Sequence, residues 1–291
     1  MEQSNLTALF LPLALGIIML GMGMTLTPAD FKRVFLYPKA ILLGLTNQLI
    51  VLPLLGLAII YIFDLKAELA VGVLLLALCP GGATSNIISH LAKADLALSI
   101  SLTAFSSTIT NFSIPFLLNL ALFHFMGGAE AIQLPIGKTV VQIFAVTILP
   151  VGLGMLIKQY LPTITSKSLK AVNIMSAVFF VLILLMAIVK ERANIIPYFL
   201  EAGFPALLLN LVAMLAGYAS GLFFALQFKQ RVAISIETGI QNGTLAIAIA
   251  LSPVMLNNTQ MAIPAAIYSL IMFLTASMLV LWSRKRADLD I

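Results

Sequence analysis

The chain is a succession of apolar stretches, most of them long enough to cross a lipid bilayer, separated by short polar turns. No other feature narrows its fold so far. A spanning helix needs about 20 predominantly apolar residues, and in hydrocarbon every backbone N–H and C=O must be bonded internally. Nine stretches qualify, at approximately 8–28, 39–63, 69–90, 96–125, 137–160, 170–190, 203–226, 233–252 and 263–283. Of 291 residues, 61% are hydrophobic and 9% charged, where soluble domains carry roughly a quarter charged residues. The mean hydropathy of +1.10 agrees. The expectation is an all-α polytopic membrane protein with about nine transmembrane helices. It forms one transmembrane unit over 1–291, with no stretch polar enough to fold as a soluble module.

The net charge of +5 is a matter of topology, and no nucleic-acid partner is expected. With the N-terminus outside, the inner turns hold Lys32, Arg33, Lys39, Lys93, Lys158, Lys167, Lys170, Lys229, Arg231, Arg284, Lys285 and Arg286. The outer side holds only Lys66, Lys138, Lys190 and Arg192. That asymmetry predicts N-out and C-in, and nine crossings put the ends on opposite sides. The N-terminus "MEQSNLTALF" lacks a basic region before its apolar run, so no cleaved signal peptide is expected. Short loops and a compact chain suit a bacterial inner membrane. The one cysteine, Cys79, allows no internal disulfide and leaves the redox compartment unread.

Of the eleven acidic residues, all but Glu237 fall at termini, in turns or near span ends. Glu237 lies six residues past Arg231, roughly 9 Å along a helix. A charge at such depth costs about 2.5–3.5 kcal/mol or more unless it is paired or solvated. No lysine or arginine sits at comparable depth. A bound cation is the natural partner, and a protonated carboxyl in a proton-coupled cycle is the alternative.

Two segments read as broken helices. In "CPGGATSN" (79–86), Pro80, Gly81 and Gly82 oppose a continuous helix, and "ETGIQNGT" (237–244) places Gly239 and Gly243 around Gln241 and Asn242. Unwound carbonyls and side-chain oxygens can hold Na⁺, and the following half-helix offers its N-terminus to an anion. Paired interruptions in two halves of a chain point to a secondary-transporter site. Halves of about 1–130 and 131–291, with four and five spans, would form an inverted repeat.

Ser99, Thr103, Ser106 and Thr110 share one face of the fourth span, an arrangement that also serves plain helix packing. Gln48 sits midway along the second. That fourth span is long, and "NFSIP" (111–115) is the expected place for a kink or break. His90 and His124 lie near span ends, and no Cys/His cluster suggests a metal. HExxH, GxSxG and phosphate-loop motifs are absent, so no enzyme and no cofactor are expected.

The strings "LGIIMLGMGMTLTPADF" (15–31), "ELAVGVLLLALCPGGATSN" (68–86) and "ETGIQNG" (237–243), in that order, resemble the bile acid:sodium symporter family over nearly the whole chain. The resemblance implies a core domain with two crossing discontinuous helices, a panel domain that moves against it, and nine spans where many bacterial relatives have ten. It implies two sodium sites. One would use Ser85, Asn86, Ser99, Thr103 and Glu237. The other would use Gln48, Glu237, Gln241 and the carbonyls of Thr238 and Ile240. An organic-anion substrate would meet the half-helix N-termini near Thr84, Ser85, Asn242, Gly243 and Thr244. Some bile-acid-binding relatives carry a His-Asn pair in the last span, where this chain has Met272 and Phe273. A small carboxylate, such as a keto acid or a pantoate-like metabolite, therefore stands beside bile acid as an expected cargo. The expected function is Na⁺-coupled import of an organic anion by alternating access, without an obligate protein partner. A proton-coupled or exchange carrier on the same scaffold, or a ligand-sensing receptor, are the alternatives.

Overall fold

The computed structural model describes residues 2–32, 36–127, 135–190, 195–253 and 255–287. Arg33, Arg192 and the side chain of Lys190 lie outside the described residues. Every regular element among them is helical. After α1 (Glu2–Gly23) and the short α2 (Pro28–Lys32), α3 (Pro38–Thr46) passes through a π turn (Asn47–Val51) into α4 (Leu52–Ile62). Then come α5 (Ala67–Leu78), α6 (Ala83–Leu91) and the unbroken α7 (Leu96–Phe125). The second half holds α8 (Ile136–Val146), α9 (Ile148–Tyr160), α10 (Pro162–Lys190), α11 (Ile195–Phe223), α12 (Phe228–Gly239), α13 (Gly243–Leu251) and α14 (Ile263–Ala287).

Among the described residues six helical stretches are long and apolar enough to cross a membrane: Pro38–Ile62, Leu96–Phe125, Gly137–Tyr160, Pro162–Met186, Ile196–Phe223 and Gln260–Arg286. Their packing sorts into two groups. Helix α1 packs on α9 and α10, while α5, α7, α11, α12 and α14 pack among themselves with α4. Contacts of α13 with α1 and α10 join the groups. Within the first group, α8–α9 and α10 are the least buried, while α1 is buried at Leu11, Ala14, Leu15, Met19 and Met22. In the apolar middle of Gly137–Tyr160 only 17% of residues are buried, and in that of Pro162–Met186 11%, against 39% or more in the other four. Side chains such as Val141, Leu153, Val178 and Leu185 face outward, which suits helices whose solvent is lipid.

Three local features differ from the sequence expectation. Helix α7 continues through "NFSIP". Pro115 withholds only one donor, from the carbonyl of Asn111, and sits with Asn111 and Ile114 on the buried face of the helix while Phe112 and Phe116 face outward; a spanning helix tolerates a proline where neighbouring groups meet the freed carbonyl. The break falls instead at Thr147 (φ −125°, ψ −71°), between α8 and α9. Pro150 lies just beyond, and a proline denies its N–H to the turn before it. Helix α10 starts at Pro162, earlier than the apolar run, because proline suits the first helical turn; Lys167 and Lys170 thus ride on a helix. Ser101 Oγ donates to Asp30 O (2.8 Å) and ties α7 to α2. Ser101→Ala is expected to cost about 1 kcal/mol of stability without moving any sodium response, as thermal unfolding with and without NaCl would register.

Candidate functional site

The two interrupted spans meet at their interruptions. Gly81 and Gln241 pair in an isolated antiparallel bridge, and Asn242 N–H donates to Pro80 O at 2.9 Å. Each break thereby satisfies part of the other's backbone, which hydrocarbon would otherwise leave unpaired. Helix α5 ends at extended Cys79, and α6 restarts behind extended Gly82. Helix α12 ends at Gly239, and α13 restarts at Gly243, capped by the Asn242 side chain accepting from Leu245 N–H (3.0 Å).

Around this crossing lies a first cluster of oxygens. Glu237, 1% exposed, reaches it from the last turn of α12. Thr103 Oγ1 stands 2.5 Å from Glu237 Oε1, and Ser99 Oγ 3.2 Å from Oε2. Asn86 Oδ1 lies 3.0 Å from Ser99 Oγ and 3.3 Å from Thr103 Oγ1. Ser85 Oγ lies 3.3 Å from Thr103 Oγ1. The spacing of Ser99 and Thr103 by one helical turn aims both hydroxyls at the carboxylate. Two of these hydroxyls have a second acceptor in their own chain segment: Ser85 on Gly82 O (2.7 Å) and Thr103 on Ser99 O (3.0 Å). Their protons can turn away and leave lone pairs for a guest. Asn86 Nδ2 is buried without a partner, an unmet polar demand that a native interior rarely carries unexplained.

A second cluster lies on the other side of α12. Gln48, turned inward by the π turn, donates from Nε2 to Cys79 O and Gln241 Oε1, both at 2.8 Å. Gln241 Nε2 donates to Thr238 O (2.8 Å) and approaches Glu237 O at 3.3 Å. Glu237 thus meets the first cluster with its carboxylate and the second with its backbone carbonyl. Ile240 is fully buried and extended at the end of α12.

The residues expected to meet an anion divide. A partly open cavity of about 120 Å³ lies between α1, α7, α8–α9 and the crossing. Asn242 lines it beside Pro80 and Leu245, while Thr84, Ser85, Gly243 and Thr244 do not. Thr84 is half-buried on the first turn of α6, and Thr244 is buried in α13. The remaining wall is apolar at Met19, Met22, Val151 and Met155, and polar at Ser107, Thr108, Asn111 and Thr147. Thr147 Oγ1 donates to Asn111 Oδ1 at 2.5 Å, bonding α7 to the break between α8 and α9. In the sequence Ser107 and Thr108 stand out as polar residues of the fourth span, while Thr147 and the methionines of this wall do not. The pair "TILP" would have marked Thr147, since Pro150 sits one turn on. Met272 is buried and Phe273 half-exposed against Phe180, neither on the cavity.

Oxygen-only donors around one carboxylate suit a hard cation. Among the described residues Glu237 makes no ion pair, and no group of three His, Cys, Asp or Glu could hold a transition metal.

A family model described as the Sodium Bile acid symporter family matches residues 12–197. The chain is 30% identical over 280 residues to the uncharacterized sodium-dependent transporter YocS of Bacillus subtilis (strain 168), covering 95% of this chain and 84% of that one. It is 28% identical over 272 residues to the probable sodium/metabolite cotransporter BASS2, chloroplastic, of Oryza sativa subsp. japonica, covering 94% of this chain and 63% of that protein. With the human sodium/bile acid cotransporter 4 it shares 31% identity over 246 residues, or 82% of this chain and 55% of that one.

Proposed function

The chain belongs to the Sodium Bile acid symporter family, an integral membrane family of sodium-dependent transporters, and we propose that it is a carrier, not an enzyme, which imports an organic anion with Na⁺. The observation that carries this reading is the buried Glu237 carboxylate, faced by Ser99, Thr103 and Asn86 oxygens at the point where two broken helices pair. Ser85, Asn86, Ser99, Thr103 and Glu237 would hold one Na⁺. Gln48, Gln241 and the Glu237, Thr238 and Ile240 carbonyls would hold another. Both sets share residue 237, so filling one orders the crossing for the other and presents Asn242 to the cavity. Among the described residues no lysine or arginine lines that cavity. The anion's charge is then met by the Na⁺ nearby and by half-helix dipoles, which favours a monoanion with an apolar body.

Two Na⁺ with a monoanion carry one net charge inward, and 100 mV inside-negative adds about 2.3 kcal/mol to that movement. The two halves, about 1–130 and 131–291, would act as inverted repeats, with α1 and α8–α10 as the panel that moves against the core. The N-terminus faces out and the C-terminus faces the cytoplasm of a bacterial inner membrane. The test is uptake of a labelled small carboxylate panel and a bile acid into proteoliposomes under an imposed Na⁺ gradient, with a pH gradient alone as the contrast. Uptake that follows the pH gradient and ignores Na⁺ would replace sodium coupling with proton coupling. Asn242→Ala is expected to raise the substrate KM about tenfold, the effect of one lost charge-assisted contact. The Na⁺ half-saturation at saturating substrate should stay within about twofold, since no sodium ligand is removed.

A further inference from the structure

Two helices outside the sodium clusters grip the carbonyl that ends α12. Asn210 Nδ2 on α11 and Tyr268 Oη on α14 each donate to Gly239 O at 2.8 Å. Both residues are fully buried. The last carbonyls of a helix have no intrahelical donor, and here two side chains from separate helices supply the demand of one. Asn210 Oδ1 has no partner. A flipped amide would set that oxygen against the Gly239 carbonyl, so repulsion fixes the orientation with Nδ2 inward. Met214 fills the space beside Gly239 where a Cβ would stand.

The gripped peptide lies between the two others that matter. Thr238 O accepts from Gln241 on the side of the second cluster, and Ile240 continues extended into the bridge with Gly81. Helical carbonyls all aim toward the C-terminal end of the axis while their residues step about 100° around it, so anchoring Gly239 O fixes the peptide plane that joins the last helical residue to extended Ile240 and with it the places of the carbonyls on either side.

We propose that Asn210 and Tyr268 are positioning residues for the second sodium site: by holding Gly239 O from behind, they keep the last turn of α12 open and direct the Thr238 and Ile240 carbonyls toward Gln48 and Gln241. This rests on the sodium-symport reading. Neither residue touches the ion; each acts through the backbone.

Tyr268→Phe removes one hydroxyl and keeps the ring. Na⁺-dependent uptake in proteoliposomes should then show a Na⁺ half-saturation raised about tenfold, the effect of one lost buried hydrogen bond. The Hill coefficient for Na⁺ should fall toward one, because only one site is disturbed. The substrate KM at saturating Na⁺ should be unchanged. Asn210→Leu removes the other donor alone and is read in the same way, so the test survives poor folding of either variant. Lower thermal stability in both variants, with half-saturation and Hill coefficient as in wild type, would make the pair purely structural and overturn the inference alone. Wild-type uptake that ignores Na⁺ would overturn both the inference and the reading beneath it.

Discussion

Glu237→Gln should abolish sodium-driven uptake while leaving a folded protein. The substitution preserves shape and removes the charge. In the first cluster the carboxylate is the one anionic donor among neutral oxygens, so a bound cation loses its only charge partner in a site 1% exposed. Removing one member of a buried pair costs about 3–5 kcal/mol, and each 1.4 kcal/mol is about tenfold. Affinity for Na⁺ should therefore fall by at least about a hundredfold. Thermal unfolding across a NaCl titration, with choline chloride at equal ionic strength, reports this directly. Ligand binding stabilises the folded state by an amount that grows with the logarithm of ligand concentration over Kd, so wild type should gain stability with Na⁺ and the variant, left with the second site alone, should gain far less. A Glu237→Gln protein with wild-type Na⁺ stabilisation would remove Glu237 from the sodium site.

Gly81→Ala should have a comparable effect by a steric route. A Cβ on Gly81 would run into Glu237 Oε1 and stand 2.8 Å from the carboxylate carbon and 3.3 Å from Ser85 Oγ. Gly81 is also the bridge residue opposite Gln241. The carboxylate must leave its hydroxyl partners, or the two breaks must separate. Overpacking of this kind costs about 1–3 kcal/mol, and either outcome dismantles the first cluster. Na⁺ stabilisation and uptake should both be lost. Gly82→Ala is the matched control. Its Cβ would meet only Asn242, at 3.9–4.0 Å, in ordinary contact, and sodium dependence should persist. Equal loss in both variants would assign the effect to helix propensity around the break and not to the carboxylate.

Much of this arrangement was legible because hydrocarbon leaves the sequence few ways to satisfy its backbone. The run 96–125 became α7 with the same limits, and the Gly/Pro interruptions became breaks where expected. A lone deep carboxylate without a basic partner pointed to Glu237. Less legible was everything that depends on rotation about a helix axis. Pro53 marks an irregularity at the π turn of 47–51, but nothing in the string says that Gln48 then faces Gln241, 193 positions away. "NFSIP" had the composition of a break and stayed helical, because one proline removes a single donor from an otherwise complete helical ladder. Asn210 and Tyr268 sit in apolar runs where a polar atom reads as incidental. Their common target, a backbone carbonyl on a third helix, is a property of packing and not of any local string.

The crossing also carries its own reporter. Cys79 is the chain's only thiol and is fully buried beside the break, its carbonyl held by Gln48. A permeant alkylating reagent reaches it only while the paired segments part, so the rate of labelling measures how often the crossing opens. Sodium should slow that reaction in wild type and much less in Glu237→Gln. Once Cys79 is replaced, every position in the panel or core is free to take a single spectroscopic probe.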